Sequence, residues 1–504
     1  ARDAAGTHEK VVAIVGDGAL NCGLSLEGLN NVRETTRDMI IILNDNKMSI
    51  SENVGAIPAY LNYIISGRSY SRFKAMAKVM LHKIPHGDEI RRKISRLEEA
   101  TKSIFVPGVF FEELGIRYIG PINGHDFKEL FRTLTAAREY HRPVIVHVIT
   151  EKGRGYVPAE AAPEKFHGVS GFNPVTGLCE KRPYPISFSA AFGTAAVELA
   201  ERHGEVTAIT AAMCSGTGLK PFAQKFPHRF HDVGIAEEHA LVFAAGLAAG
   251  GLRPIVAIYS TFMQRALDCI FHDICLQQLP VIICQDRSGI VEDGPTHHGI
   301  HDLSFLRHLP YLTIMQPQDE TELHRMLFTA YELGSPVVIR YPKGHSEHPY
   351  TPEPEPELLP VGKAQIVRPG RHAAIWALGN EVGTAEHVAA LLADKGWDIA
   401  VVNPRFVVPF DRELLLEQAA QMPIVTIEDN QISGGLGSIA DELLVNFHHH
   451  GLRHFGWGET IIPHGDPARL RLEAGLDAAA IAAAVGTLLA ESGVTPNHPT
   501  KEVL

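Results

Sequence analysis

Two short stretches set oxygen ligands at the ends of apolar runs. Val11-Val12-Ala13-Ile14-Val15 runs into Gly16-Asp17-Gly18-Ala19, and Met39-Ile40-Ile41-Ile42-Leu43 runs into Asn44-Asp45-Asn46. The carboxylate of Asp17 and the amide oxygen of Asn46, with a main-chain carbonyl nearby, are donors that a hard cation such as Mg²⁺ accepts. The amides beside the glycines suit a phosphate. A third stretch, Asp232-Val233-Gly234-Ile235-Ala236, leads to Glu237 at the head of an apolar, small-residue segment. A carboxylate there is costly without a partner, and burial would raise its pKa toward acid–base work. Glu238 reads as its exposed neighbour. Tyr259-Ser260-Thr261-Phe262-Met263-Gln264-Arg265 supplies an aromatic that can stack on a planar ligand, next to a cation. The loop from Asp286 to Gly299 gathers Arg287, Asp293 and His297 among glycines, an acid, a base and a cation together.

These residues need elements that end where they stand. Short β-branched runs such as 11–15 and 39–43 read as fully buried parallel strands, and open α/β sheets bind ligands at the carboxyl ends of such strands. Leu26, Leu29 and Val32, with Leu20 and Leu24 nearby, predict a helix over 19–33 that packs on the sheet and completes a βαβ unit. Gly18 and the amides after it fall at the head of that helix. Residues 47–107 carry Lys74, Lys78, Lys83, Arg91, Arg92, Lys93 and Arg96 and read as short helices over the sheet or a mobile excursion, the basic charge being a solvated face. A strand follows at 143–149, then a Pro- and Gly-containing linker at 172–185. A second α/β region has strands expected at 206–210, 254–259, 280–285, 312–315 and 337–340, and helices at 237–250 and 320–332. Residues 346–360 form a stiff Pro/Glu linker. A third region has strands at 373–377, 399–403 and 424–427 and an Ala-rich helix at 477–490. The fold class is α/β with three parallel-sheet domains, at 1–182, 183–355 and 356–504.

Composition narrows the function. The chain has 504 residues, enough for roughly three domains of ~150. A net charge of −12 gives nucleic-acid binding no electrostatic support. Six cysteines without a Cys-x-x-Cys pair imply free thiols in a reducing, cytoplasmic compartment rather than a disulfide framework. No run of ~18 apolar residues predicts a membrane span. The first ten residues read as a helix tail and a Gly turn, without a signal-peptide core. Three further features have plain readings. Ser433-Gly434-Gly435-Leu436-Gly437-Ser438 is a tight turn into a helix, His448-His449-His450 a solvated helix end, and Gly124-His125-Asp126 a turn and cap.

The sequence resembles the 1-deoxy-D-xylulose-5-phosphate synthases, transketolase-like thiamine diphosphate enzymes. The resemblance is carried by Gly-Asp-Gly-Ala-Leu (16–20), Leu-Asn-Asp-Asn-Lys-Met-Ser-Ile-Ser-Glu-Asn-Val-Gly (43–55), Phe-Glu-Glu-Leu-Gly-Ile-Arg-Tyr-Ile-Gly-Pro (111–121) and Lys-Gly-Arg-Gly-Tyr (152–156). It continues in Ile-Ala-Glu-Glu-His-Ala (235–240), Tyr-Ser-Thr-Phe-Met-Gln-Arg-Ala (259–266) and Asp-Gly-Pro-Thr-His-His-Gly (293–299). It implies a thiamine diphosphate-binding fold used twice plus a transketolase C-terminal domain, the cofactor lying between the first two. It implies Mg²⁺ on Asp17, Asn46 and the Met48 carbonyl, and diphosphate at Gly18 and Ala19. Glu237 would activate the aminopyrimidine, with Phe262 stacked on it. Tyr259, Arg287 and Lys343 would hold the phosphate of D-glyceraldehyde 3-phosphate. Asp293 and His297 would contact its hydroxyls and carbonyl, and Arg265 would face the pyruvate-derived unit. The implied reaction joins pyruvate to that aldehyde with loss of CO₂, in a homodimer. Lys343 stands where the family usually has Arg, and Ala190 where a Lys is expected near the diphosphate. The resemblance also leads one to expect a longer N-terminal region, with histidines and diphosphate contacts, ahead of residue 1. The alternatives are a thiamine diphosphate-binding fragment without activity of its own and another transketolase-like enzyme.

Overall fold

The computed structural model describes residues 1–36, 38–48, 54–66, 108–169, 171–178 and 186–496. The basic stretch from Lys74 to Arg96 and the end of the 172–185 linker lie outside the described residues. The chain divides into two compact units. One comprises Ala1–Lys181 with Val233–Ala236, the other Arg182–Asp232 with Glu237–Leu504.

The first unit is built on four parallel strands, β1 (Val11–Gly16), β2 (Met39–Asp45), β3 (Arg117–Asn123) and β4 (Val144–Ile149), in the order β1-β2-β4-β3. Successive side chains of a strand point to opposite faces. Ile41, Leu43 and Ile145 therefore pack with Leu29 and Val32 of the Gly23–Thr35 helix on one side. Ile40, Val144 and Val146 pack with Ala137 of the Phe127–Arg138 helix on the other. The register pairs Gly16 with Asn44, so Asp17 and Asp45 leave the sheet at the same level. Two expectations change. β1 is an edge strand rather than a fully buried one, with Ile14 74% exposed, because among the described residues only β2 pairs with it. The helix begins at Gly23 after a 3₁₀ turn, Ala19–Asn21, which rotates Leu24 out to 70% exposure while Leu20, Leu29 and Val32 stay buried.

The second unit holds two sheets. The larger contains β5 (Val206–Thr210), β6 (Phe230–Asp232), β7 (Arg253–Tyr259), β8 (Ile282–Asp286), β9 (Thr313–Met315) and β10 (Val337–Arg340), all parallel. The smaller contains β11 (Gln365–Arg368), β12 (Ala373–Ala377), β13 (Ile399–Asn403), β15 (Ile424–Gln431) and β16 (Leu452–Trp457), with only β11 antiparallel. β14 (Phe406–Val408), which follows β13, crosses over to lie antiparallel on β9 and closes the edge of the larger sheet. Its Phe406 is wholly buried in the core of that sheet, beside Phe188 and Phe192 of the Phe188–Arg202 helix. Each such side chain contributes about 2–3 kcal/mol of apolar burial, so the third region is anchored by core packing as well as by the linker at 346–360. That linker has no helix or strand and is pinned by Arg325 Nε donating to Glu353 Oε2 at 2.8 Å.

Within Pro467–Glu491 an 18-residue window reaches the mean hydropathy, 1.6, of a membrane span. The segment folds instead as two helices, Pro467–Glu473 and Ala478–Glu491, with Gly475 in the left-handed region between them. Ile481, Ala482, Val485 and Leu489 are buried in the core around β12 and β13. His448–His450 lie in the loop past the Leu436–Leu444 helix rather than on its end.

Candidate active site

In the first unit the chemistry gathers at the carboxyl ends of β1, β2 and β4. Asp17, 2% exposed, accepts from the Gly18 amide and meets the carboxyl of Asp45. Burial and the Asp45 charge push the Asp17 pKa up to about 7. Burial also works to raise Asp45, but hydrogen bonds from His147 and Asp17 outweigh it and hold Asp45 below the usual carboxylate range. His147 Nε2 lies 3.0 Å from Asp45 Oδ2 and its Nδ1 lies 2.7 Å from the Tyr118 hydroxyl. Burial keeps the Tyr118 hydroxyl protonated, and Asp45, held ionised, can only accept, so His147 Nε2 donates to it. The β2 end then curls: Lys47 N donates to Asp45 Oδ1 at 3.1 Å and Met48 N to Asn46 Oδ1 at 3.0 Å, with Lys47 at φ 64°. The charge of Asp17 also reaches Lys152, whose pKa burial lowers. Two buried carboxyls that share a proton beside an amide oxygen form an all-oxygen donor set with charge to be neutralised. This set fits a hard divalent cation.

Sequence reasoning named Asp17, Asn46 and Met48 here and missed Asp45, His147 and Lys152. Asp45 lies inside the same Asn-Asp-Asn run, so only the strand register could select it. Gly18 and Ala19 sit at the head of the 3₁₀ turn, and the Gly18 amide already serves Asp17. Asp126 caps the Phe127–Arg138 helix, accepting from Lys128 N and Glu129 N, as expected. Next to it, Asn123, His125, Thr150, Glu151 and Arg154 line a cavity of about 310 Å³, and His125 Nε2 accepts from Glu151 N at 2.9 Å.

In the second unit Glu237 opens the Glu237–Ala249 helix and is 2% exposed. Burial raises its pKa, and Arg265 opposes the rise by donating from Nη1 to Glu237 Oε2 at 2.8 Å. Arg265 also reaches Glu238, whose side chain is 38% exposed, as expected of the outer member of the pair. Phe262 is stacked parallel to Tyr259 at 5.8 Å and meets the edge of His297 at 5.4 Å. The Arg287 guanidinium lies over the other aromatic, 4.0 Å from the Tyr259 ring centroid. The structure therefore brings together Tyr259, Phe262, Arg287 and His297, which sequence placed in one site.

Their supports come from distant chain segments. Arg287 Nη1 donates to the Gly216 carbonyl at 2.6 Å and to Asp286 Oδ1 at 2.8 Å, and Ser189 Oγ donates to Asp286 Oδ2 at 2.7 Å. A Cβ on Gly216 would stand 2.1 Å from the Tyr259 hydroxyl oxygen, so any side chain there would have to displace that ring; burial pushes the Tyr259 pKa up to about 12. Thr296 Oγ1 engages His297 Nδ1 at 2.9 Å, which leaves Nε2 to meet a ligand. Lys343 pairs with Glu292, and its ammonium stands 3.7 Å from Asp293 Oδ2. Asp293 and Glu292 are exposed, Lys343 likewise. The arrangement offers a buried acid for a heterocycle nitrogen, an aromatic face, and a rim where Arg287 and Lys343 face acidic partners beside one histidine. The glycine turn at 433–438 is not a vacant anion site, because the buried Glu428 carboxyl group takes Leu436 N and Gly437 N at 2.8 Å each. Among the described residues no group of three His, Cys, Asp or Glu side chains forms a metal site.

Known families match the chain in three segments. Residues 1–150 match the family description 1-deoxy-D-xylulose-5-phosphate synthase, 184–348 the transketolase pyrimidine binding domain, and 362–481 the transketolase C-terminal domain. A 1-deoxy-D-xylulose-5-phosphate synthase of Syntrophus aciditrophicus is 46% identical over 97% of this chain and 76% of its own length. One of Methylacidiphilum infernorum is 46% identical over 94% and 76%. Among solved structures, a split-gene transketolase, an inactive beta4 tetramer, has a TM-score of 0.56 at 30% identity, over 60% of this chain and 99% of that one. The transketolase of Campylobacter jejuni has a TM-score of 0.52 at 15% identity, over 95% and 78%, which speaks to the fold alone.

Proposed function

The chain belongs to the 1-deoxy-D-xylulose-5-phosphate synthase family, and from that premise we propose how its residues divide the work. The reaction is the condensation of pyruvate with D-glyceraldehyde 3-phosphate, releasing CO₂ and giving 1-deoxy-D-xylulose 5-phosphate, a precursor of isoprenoids, thiamine and pyridoxol. The enzyme is a transketolase-type transferase that uses thiamine diphosphate. When bound, that cofactor supplies the electron-accepting ring on which the two-carbon unit is carried.

In this reading Asp17, Asn46 and the Met48 carbonyl hold Mg²⁺, and Gly18 and Ala19 meet the diphosphate. The buried Asp17–Asp45 pair supports it, because a divalent cation replaces the proton that keeps the two carboxyls together. Glu237 hydrogen-bonds the aminopyrimidine nitrogen and holds a proton there, and Phe262 lies against the ring. Arg265 orients Glu237 and faces the pyruvate-derived unit. Tyr259, Arg287 and Lys343 bind the aldehyde's phosphate. Asp293 binds its hydroxyl, and His297 presents Nε2 to the carbonyl oxygen, where it moves a proton. Lys343 contributes one charge rather than the fork of an Arg. The enzyme acts as a cytoplasmic homodimer; the free thiols of Cys269, Cys275 and Cys284 support a reducing compartment, and the family supports the dimer.

The observation that carries this reading is Glu237, a carboxylate sealed from water at a helix head with a cation as its partner. The test incubates the chain with pyruvate, D-glyceraldehyde 3-phosphate, thiamine diphosphate and Mg²⁺ and measures CO₂ and pentulose phosphate. Both are expected from the wild type and neither from Glu237→Ala. Product from the variant removes Glu237 from its role, and no product from the wild type at saturating cofactor removes the reading.

A further inference from the structure

The segment between β8 and the Asp302–Leu306 helix carries Arg287, Asp293 and His297, yet it has little structure of its own. Gly289 and Gly299 exchange two backbone hydrogen bonds of 2.8 Å and clip its ends together. Beyond the clip, residues 290–298 lean on the third α/β region. Ile290 N donates to Asp429 Oδ2 at 3.3 Å, and Gly465 N donates to the Glu292 carbonyl at 3.2 Å. Val291 N donates to His298 Nδ1 at 3.1 Å, which fixes the histidine proton on Nε2, 3.2 Å from the Ile462 carbonyl. Gly289, at φ 95°, has Asp429 Oδ2 only 2.2 Å from where a Cβ would stand, so Asp429 presses directly on the loop backbone.

Asp429 is itself held rigidly. Trp457 Nε1 donates to Asp429 Oδ1 at 2.7 Å, and Arg471 Nη2 pairs with Asp429 Oδ2 at 2.6 Å while its Nη1 pairs with Glu381 at 2.6 Å. Glu381 and Asp429 are buried, so this ion pair is shielded from solvent screening. None of these side chains lies on the rim formed by Arg287, Asp293 and Lys343. His298 is adjacent to His297 in sequence, but it is buried and turned into the third region, whereas His297 is half-buried against Phe262.

We infer that the third α/β region is part of the acceptor-substrate machinery: Asp429, braced by Trp457 and Arg471, and His298 are positioning residues that fix Asp293 and His297 through the loop backbone. The inference rests on the assignment of Asp293 and His297 to the aldehyde substrate. A displacement of about 1 Å in such groups is enough to cost up to 100-fold in rate or binding.

The test is steady-state kinetics of the full chain with cofactor. The variants are Trp457→Phe, which removes the indole donor to Asp429 and keeps an aromatic ring, and His298→Asn, which keeps an acceptor for Val291 N and loses the reach to Ile462. Both should raise KM for D-glyceraldehyde 3-phosphate about tenfold, with KM for pyruvate and thiamine diphosphate affinity by fluorescence titration changed less than about twofold. His298→Gln, which restores the reach to Ile462, should recover part of the loss. In a background carrying both Asp293→Ala and His297→Ala the further effect of His298→Asn should fall below about twofold, because the loop then has neither contact left to position. Equal effects in both backgrounds, or a parallel loss of cofactor affinity, would mean a general structural role and overturn the inference. So would an unchanged KM in Trp457→Phe, which also decides the matter if His298→Asn fails to fold. If neither Asp293→Ala nor His297→Ala alters KM for the aldehyde, the functional reading falls first, and the inference with it.

Discussion

Lys343 shows how much a single side chain can be asked to do. Its ammonium is shared between Glu292 and Asp293 at the rim of the second-unit site, so an arriving phosphate competes with two carboxylates for one cation. Lys343→Met removes the attraction and leaves the carboxylates facing the phosphate. KM for D-glyceraldehyde 3-phosphate should rise about 10- to 100-fold, the worth of a charge-assisted hydrogen bond of ~1.5–3 kcal/mol. Lys343→Arg should hold KM level or lower it, since a guanidinium can fork between carboxylate and phosphate. Initial rates against aldehyde concentration check both, and a Lys343→Met enzyme with unchanged KM takes Lys343 out of the phosphate site. At this scale the sequence was legible where type and local spacing coincide: Asp17 after its glycine, Glu237 at a helix head, Phe262 and Arg265 on one turn. It was not legible where partners meet across the fold. His147 comes 102 residues after the Asp45 it holds, and Ser189 comes 97 residues before the Asp286 that anchors Arg287. No local pattern marks either pair, because strand order and register create them.

Elements were read best where one signal dominated. The Ala-rich terminal helix is an example: Ala478–Glu491 combines high helix propensity with Asp477 accepting from Ala479 N and Ala480 N at 3.0 and 3.1 Å. Asp477→Ala should destabilise the second unit by about 1 kcal/mol and lower its melting temperature by a few degrees, leaving activity at 25 °C unchanged. Thermal melts monitored by circular dichroism measure this, and an unaltered melt would mean the helix is held by Ile481, Val485 and Leu489 alone. The buried parallel strands at 206–210, 337–340, 373–377 and 399–403 were also legible, since apolar runs bounded by turns admit little else. Four kinds of strand escaped. β3 is interrupted by Gly120 and Pro121, β6 and β14 have only three residues each, and β11 is a half-exposed edge. β16 mixes Arg453 and His454 with its apolar positions. The apolar run of β1 misled in the other direction, because composition reports the tendency to be buried and not whether a neighbour covers the strand.

Across the whole molecule the buried acids set how stability follows pH. Glu428 lies wholly inside the second unit, and burial pushes its pKa up to about 8 despite the Leu436 and Gly437 amides and the nearby Arg340 charge. Asp17 in the first unit is pushed up to about 7. In both cases the folded chain keeps a proton that the unfolded chain releases near pH 4–4.5. Between those values the unfolded state binds fewer protons, so stability falls as pH rises, and the penalty is complete above about pH 8 for Glu428 and pH 7 for Asp17. For a sealed group such as Glu428 the penalty is on the order of a few kcal/mol. The two contributions separate experimentally. Glu428→Gln carries no ionisable proton, so it should flatten the decline in melting temperature between pH 5 and about pH 8 without altering the response to Mg²⁺. Mg²⁺ needs its carboxylates ionised, so it should raise the melting temperature of the wild type more at about pH 8 than at pH 5. Asp17→Asn should abolish that gain while leaving the Glu428 slope in place. A Mg²⁺ response that is equal at both pH values, or that survives Asp17→Asn, would move the cation away from the β1–β2 ends.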